Sequence, residues 1–316
     1  MKQKITRYST QNASIEERFQ QFLTAASAQG FSEKTIQVYG THLRSIAKHL
    51  DVEKPLSALT KTEVDEAITS MRKAGLSPNS ISSYMRVFKS FLSWCRDEGY
   101  TGLMIPAYKP KETIKETYTD EELKKLLEKP TPNGSFCEYR NWVIVQFLLN
   151  SGCRAATIRN IQNQDVDLES RQVTFRHTKM GKIQVIPLCS TLVSRLRDYM
   201  KIRGGGPSDY LFCNEHGEML TESALRSAIE RYNQQRGVDK TSIHMFRHTF
   251  ARKYLLDCGG NAFTLQKLLG HATLEMTKKY CAIFNADIAN GYDNLSPLEQ
   301  LSSNNAKLTM PKKKHH

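Results

Sequence analysis

Near its C-terminal end the chain reads His244-Met245-Phe246-Arg247-His248-Thr249-Phe250-Ala251, then Leu268-Leu269-Gly270-His271, then Lys278-Lys279-Tyr280. Histidines, an arginine and a tyrosine in this order make an anion site beside a nucleophile. Arginine forks onto two phosphate oxygens and keeps its charge. Histidine carries protons near neutral pH, and a tyrosine oxygen attacks once its own proton has a destination. None of the three segments contains a carboxylate, so a divalent metal would find few of the oxygen ligands it prefers. The chemistry expected is phosphoryl transfer by protein groups alone, with no metal and no cofactor, and with Tyr280 as the nucleophile.

Other residues join this set. Arg154 follows the helix-ending Ser151-Gly152-Cys153 and opens a new helix, where backbone donors and the positive dipole end face an anion. Lys179 falls at the tip of a hairpin. Gly270 breaks a helix just before His271, and Thr273 caps the short helix bearing Tyr280. His244 lies one turn before Arg247, on the same helix face. Taken singly, each has an ordinary explanation: H-x-x-R arises by chance, and a lone tyrosine is more often structural. The ordered set on a basic chain carries the signal. Lys182 could also reach DNA, but counting back from Val185-Ile186-Pro187-Leu188 favours Lys179 as the acid. A nucleotide-binding loop at Gly181-Lys182 fails, because Ile183 stands where Ser or Thr is required.

The elements that must position these groups fill 316 residues, enough for two domains with cores of their own. A net charge of +13 calls for a polyanionic partner, and double-stranded DNA is the one expected. The positive charge is spread along the chain rather than gathered on one amphipathic helix, and no apolar run approaches a membrane span, so no membrane association is expected. No apolar run follows the N-terminal Met-Lys-Gln-Lys, so no secretory leader is read. Seven scattered cysteines without a C-x-x-C pair favour neither disulfides nor zinc; Cys153 and Cys281 read as packing residues. The expected location is the cytoplasm, on the nucleoid.

The organisation expected is mainly α with a small antiparallel sheet, an α+β fold. Residues 1–12 read as a flexible N-terminus, 13–105 as a helical DNA-binding domain, 106–118 as a linker, 119–290 as the catalytic domain and 291–316 as a C-terminal segment with a basic tail. In the first domain, helices start at Ile15, Ser32, Thr60 and Ser77, each with apolar residues recurring every three or four positions. Their polar faces carry Arg44, Lys48, Arg86 and Lys89, taken as DNA contacts. In the second, a capping box starts at Thr119 with Glu122. Asn141 to Asn150 is an apolar helix, and Arg171–His177 and Ile183–Leu188 form a hairpin. Asp165–Asp167 adds a possible third strand. Helices are expected over Thr221–Tyr232, Thr249–Asp257, Thr264–Leu269 and Leu274–Cys281.

The motifs S-G-C-R, T-K-M-G-K followed by V-I-P-L, H-M-F-R-H-T-F-A, L-L-G-H and a tyrosine nine residues after that histidine resemble those of the tyrosine recombinases, the phage-integrase-like site-specific recombinases. The resemblance spans nearly the whole chain. It implies a helical core-binding domain and a catalytic domain closing on DNA as a C-shaped clamp. Arg154 and Arg247 would hold the scissile phosphate, Lys179 would protonate the leaving 5′-hydroxyl, and His244 would assist proton transfer at the tyrosine. His271 would hydrogen-bond a phosphate oxygen, and Tyr280 would form a 3′-phosphotyrosyl link. Four protomers on two duplexes, a Holliday junction, and exchange of the segment after Tyr280 between protomers are implied as well. One position departs: Thr157 stands where the family often has an acidic residue, so the support of the site must differ. The biological outcome reads as integration or excision of a mobile element, with dimer resolution or inversion as alternatives. A type IB topoisomerase, a non-catalytic DNA-binding protein and a basic scaffold protein remain as other classes.

Overall fold

A computed structural model describes residues 13–110, 116–131, 134–177, 181–278 and 280. The chain divides into two compact units, Met1–Thr113 and Ile114–His316.

In the N-terminal unit, α1 (Ile15–Ala28), α2 (Glu33–Ala47), α3 (Lys61–Lys73) and α4 (Pro78–Asp97) each start at a serine or threonine whose hydroxyl accepts a backbone N–H of the first turn. Thr60 and Glu63 form a reciprocal capping box on α3, and Pro78 occupies the first position of α4. The apolar stripes meet around an aromatic centre in which Phe19 and Phe91 stand edge to face, 4.5 Å between centroids. Phe88 and Ile81 are buried beside them. Arg44 and Lys48 on α2, and Arg86 and Lys89 on α4, are exposed on helices that pack against each other.

The C-terminal unit is built on α6 (Phe136–Ser151), longer at its start than its apolar run alone indicates because Ser135 caps it from outside that run. Its residues from Arg140 to Leu148 are almost all buried, so α6 is covered on most sides. α5 (Asp120–Leu127), α8 (Ser190–Arg203), α9 (Glu222–Gln235) and α10 (Ile243–Leu256) pack around it. The expectations included no helix over α8; its residues alternate between apolar and basic, and only Leu192, Val193, Leu196 and Tyr199 turn inward. Strands β1 (Val166–Asp167), β2 (Gln172–Phe175) and β3 (Gln184–Pro187) form an antiparallel sheet in sequential order, with Val173 opposite Ile186. Val173, Phe175 and Ile186 enter the core while Val185 faces out. Short α7 (Ala155–Arg159), α11 (Ala262–Leu269) and α12 (Leu274–Lys278) complete the described part of the unit. No helix among the described residues is long and apolar enough to cross a membrane.

Candidate active site

Arg247 is 5 % exposed, and three acceptors hold its guanidinium. Nη1 donates to the Gly152 carbonyl at 2.9 Å; Nη2 donates to the Leu269 carbonyl at 2.9 Å and to His271 Nε2 at 2.8 Å. Both carbonyls are available because they lie at helix ends, where no intrahelical partner remains. α6 ends at Gly152 and α11 at Gly270, both left-handed, with φ of 57° and 60°. A Cβ on Gly152 would lie 2.5 Å from Phe250 Cδ1 and 2.8 Å from Leu269 Cδ2, so α10 and α11 close on this turn with no space for a side chain.

These contacts fix the protonation of His271. An arginine N–H can only donate, so Nε2 accepts and the ring proton sits on Nδ1. Nδ1–H then donates to the Oγ1 of buried Thr277 at 2.8 Å. Burial, followed by the charges of Arg247 and Arg154, pushes the His271 pKa down to about 4. The ring is therefore neutral at physiological pH, with both nitrogens engaged.

Arg154 stands at the N-cap of α7, half-buried, and its backbone is extended. α7 has only five residues, so the charge available to an anion comes from the arginine side chain rather than from a helix dipole of the expected size. Burial, and then the charge of Arg154, hold Arg247 below the ordinary arginine value. Among the described residues no carboxylate pairs with either arginine. Arg154, Arg247, His271 and Lys182 line one cavity of about 220 Å³, with Thr157 and Gln184 in the same wall. Two buried or half-buried cations without a counter-charge repel each other, and an entering phosphate would relieve that repulsion. No group of three or more metal-ligating side chains comes together among the described residues.

The surroundings of Tyr280 differ from those of the fully buried tyrosines of the same unit. Tyr199 and Tyr232 are fully buried, and their hydroxyls donate to the carbonyls of Leu211 and Leu126. Burial raises the pKa of both, which suits structural tyrosines. Tyr280 is half-buried; its oxygen lies 3.0 Å from His248 Nδ1, and the Arg247 guanidinium lies beside it. Its ring lies parallel to that of His271, with centroids 6.1 Å apart. Its backbone N–H donates to the Thr277 carbonyl, so the nucleophile candidate and the partner of His271 share one turn.

A family model described as the phage integrase family matches residues 116–286, and another, the phage integrase N-terminal SAM-like domain, matches residues 18–101. The chain belongs to the phage integrase family. It is an enzyme of the tyrosine recombinase type. It is 27% identical to the tyrosine recombinase XerC of Shewanella amazonensis, covering 90% of this chain and 96% of the relative. It is also 27% identical to the tyrosine recombinase XerA of Pyrococcus furiosus over the same shares. The fold matches that of the Tn1549 transposon integrase bound to circular intermediate DNA, with a TM-score of 0.73, 18% identity, and coverage of 88% of this chain and 99% of that one. It also matches a lambda integrase tetramer bound to a Holliday junction, with a TM-score of 0.69, 17% identity, and coverage of 84% and 80%.

Of the residues singled out in this recombinase, Arg154, Arg247, His271 and Tyr280 come together. His244 is exposed on the first turn of α10, and neither it nor Tyr280 is among the residues lining the cavity. α10 begins six residues before the expected Thr249, which places His244 and Arg247 on one helix. Lys179 and Cys281 lie outside the described residues. Lys182 borders the cavity itself. Cys153 is buried and its thiol is pushed up to about 11 by burial, as suits a packing residue. The Thr157 side chain supplies no charge, and the support for Arg247 comes from two carbonyls and an imidazole.

Three residues with a place at the site had no role assigned from the sequence. Thr277 carries His271, and His248 meets Tyr280. Gln184 on β3 donates through Nε2 to the Leu268 carbonyl at 2.8 Å, and also to that of Lys267. The signal for His248 was present: it directly follows Arg247. Gln184 and Thr277 act through long-range contacts that no local pattern reveals.

Proposed function

We propose that this enzyme is a site-specific DNA recombinase that cleaves and rejoins strands through a 3′-phosphotyrosyl link on Tyr280, without metal or ATP. Arg154 and Arg247 neutralise the nonbridging phosphate oxygens, and Lys179 protonates the leaving 5′-oxygen. The attacking 5′-hydroxyl of a partner duplex then releases the tyrosine, so bond energy is conserved through a Holliday junction. The observation that carries this reading is the placement of Tyr280, half-buried against a histidine and the buried arginine, while other tyrosines are locked to carbonyls. His271, neutral and engaged at both nitrogens in this state, would hydrogen-bond a phosphate oxygen only by exchanging a partner.

The partner is a pair of duplex sites held by four protomers, with the segment beyond Tyr280 exchanged between neighbours. Deleting residues 283–316 should abolish recombination while both units stay folded; full activity would sink the exchange. Arg44, Lys48, Arg86 and Lys89 are proposed to hold backbone phosphates. The biological role proposed is integration or excision of a mobile element, acting on cytoplasmic DNA. The end-to-end match to Xer recombinases favours a second role, resolution of chromosome or plasmid dimers.

To test the chemistry, a randomised duplex pool is selected for binding, and the recovered sequence is rebuilt as duplexes nicked at successive positions. A nick near the scissile phosphate lets the cut end diffuse away and traps the enzyme on DNA. An SDS-resistant adduct whose linked residue maps to Tyr280 supports the proposal; binding without an adduct at any nick position refutes it. Plasmids carrying paired sites then separate recombination from simple relaxation of supercoils.

A further inference from the structure

His271 borders the arginine cavity as a neutral ring with a single proton to place, because burial and the two arginines hold its pKa near 4. Its backbone is fixed by one neighbour: the N–H donates to the Gln266 carbonyl at 3.0 Å, and its carbonyl accepts from Gln266 Nε2 at 3.3 Å. What stays open is which ring nitrogen carries the hydrogen, and the partner of the far nitrogen sets that. In this state Nε2 accepts from Arg247 Nη2, and Nδ1–H donates to Thr277 Oγ1 at 2.8 Å. An Nε2 that accepts has nothing to donate to a phosphate oxygen. For the neutral ring to serve an anion, its proton must change nitrogen, and the group facing Nδ1 must turn from acceptor into donor. A carbonyl or carboxylate only accepts and an N–H only donates, whereas a hydroxyl does both. Thr277 is also fixed in place: it is fully buried, and its own carbonyl accepts the backbone N–H of Tyr280 at 2.9 Å.

We propose that Thr277 is a positioning residue whose reversible hydroxyl lets His271 exchange tautomers when a DNA phosphate enters the arginine cavity. This rests on the recombinase reading of that cavity. In the free enzyme the proton is on Nδ1. With phosphate bound it is on Nε2, which donates to a nonbridging oxygen, while the Thr277 O–H donates to Nδ1. The ring gives the Nδ1 proton to solvent water and takes one from water on Nε2, so its charge does not change. The Arg247 N–H that had pointed at Nε2 turns to the same phosphate. The remaining contacts of that guanidinium, with the Gly152 and Leu269 carbonyls, stay as they are. The anion thus gains two donors from one rearrangement, and Nδ1 keeps a partner throughout.

The test uses the full-length enzyme, the nicked duplex on which it forms its adduct, and the same selected duplex without a nick. Thr277→Val keeps the shape and removes the hydroxyl, and Thr277→Ser keeps the hydroxyl. Single-turnover adduct formation should slow by about 10²-fold in Thr277→Val, the scale of a misplaced catalytic group. It should recover to within a few-fold of the unaltered enzyme in Thr277→Ser. In a His271→Phe background, Thr277→Val should slow the reaction no further. Equal slowing in both backgrounds would assign Thr277 to packing and overturn the proposal, and so would an unslowed Thr277→Val. The ring itself is read without cleavage, from imidazole nitrogen NMR shifts in the Tyr280→Phe enzyme, assigned by their loss in His271→Gln. Adding the intact duplex should move the proton from Nδ1 to Nε2. A proton that stays on Nδ1, or a ring that carries both, would overturn the exchange whatever the variants do. An unaltered enzyme that binds the duplex and forms no adduct at any nick position would instead refute the recombinase reading on which the proposal stands.

Discussion

Helices α4 and α10 hold the same rank in their respective units, each packed against several neighbours, yet they spend their inward faces differently. α4 buries Ile81, Met85, Val87, Phe88, Phe91, Leu92 and Cys95, all apolar, and is capped by Ser77 at one end. α10 buries Phe246 and Ala251 beside an arginine and a threonine hydroxyl, and its N-cap makes no side-chain bond. The first helix converts burial directly into stability. The second gives part of that up to hold a cation and an imidazole against a tyrosine. A helix that serves the core alone is worth kilocalories, and a helix that also serves a site is worth rate.

The sharpest way to break this contrast is Tyr280→Phe, which should eliminate the covalent DNA adduct while gel-shift affinity persists. A surviving adduct would move the chemistry to another residue. Arg247→Ala should come next, slowing single-turnover cleavage by about 10²–10³-fold, the effect of removing one charge-stabilising donor. It also strands the Gly152 and Leu269 carbonyls and frees His271 Nε2, so the unfolding midpoint should fall as well. Gly152→Ala places a methyl group against Phe250 and Leu269 at a left-handed position. It should cost about 1–3 kcal/mol in denaturant unfolding, by overpacking and backbone strain. In the N-terminal unit Thr60→Ala, which removes the α3 cap, should cost about 1 kcal/mol. Its cleavage rate per folded molecule should not change; a loss of rate there would erase the division between the two helices.

A pH titration sharpens the same contrast. His271 has a folded pKa of about 4 against an ordinary 6.5. The unfolded chain therefore takes up the proton first as pH falls. The stability this residue contributes is full above about pH 6.5 and is lost progressively toward pH 4. Denaturant unfolding across that window should show the slope, and His271→Gln should flatten it.

How much could be read in advance follows the same line. The starts of α1 to α4 were legible at Ile15, Ser32, Thr60 and Ser77, because caps and one-sided apolar stripes are local signals. α10 was read six residues short, since Arg247 and Thr249 fall on its buried face and break the stripe. α8 escaped notice because arginines interleave its apolar positions. At the site, residue types marked Arg154, Arg247, His271 and Tyr280 before any geometry. The carbonyls that grip Arg247, the tautomer of His271 and the contact of His248 depend on how three helix ends meet. Residue types alone do not encode that meeting.

Gln184 links two parts of the catalytic unit that sequence keeps more than eighty positions apart. Its amide sits on β3 and donates to the carbonyls of Lys267 and Leu268 in the last turn of α11, just before Gly270 and His271. A Cβ on Gly270 would come within 2.9 Å of that amide oxygen, so strand and helix end are seated face to face. Mechanically, this is a clasp between the edge strand of the sheet and the turn that holds His271 against Arg247. A displacement of β3 reaches that turn unless the amide lets go. One neutral side chain thereby ties the sheet to the helix end whose carbonyl grips Arg247.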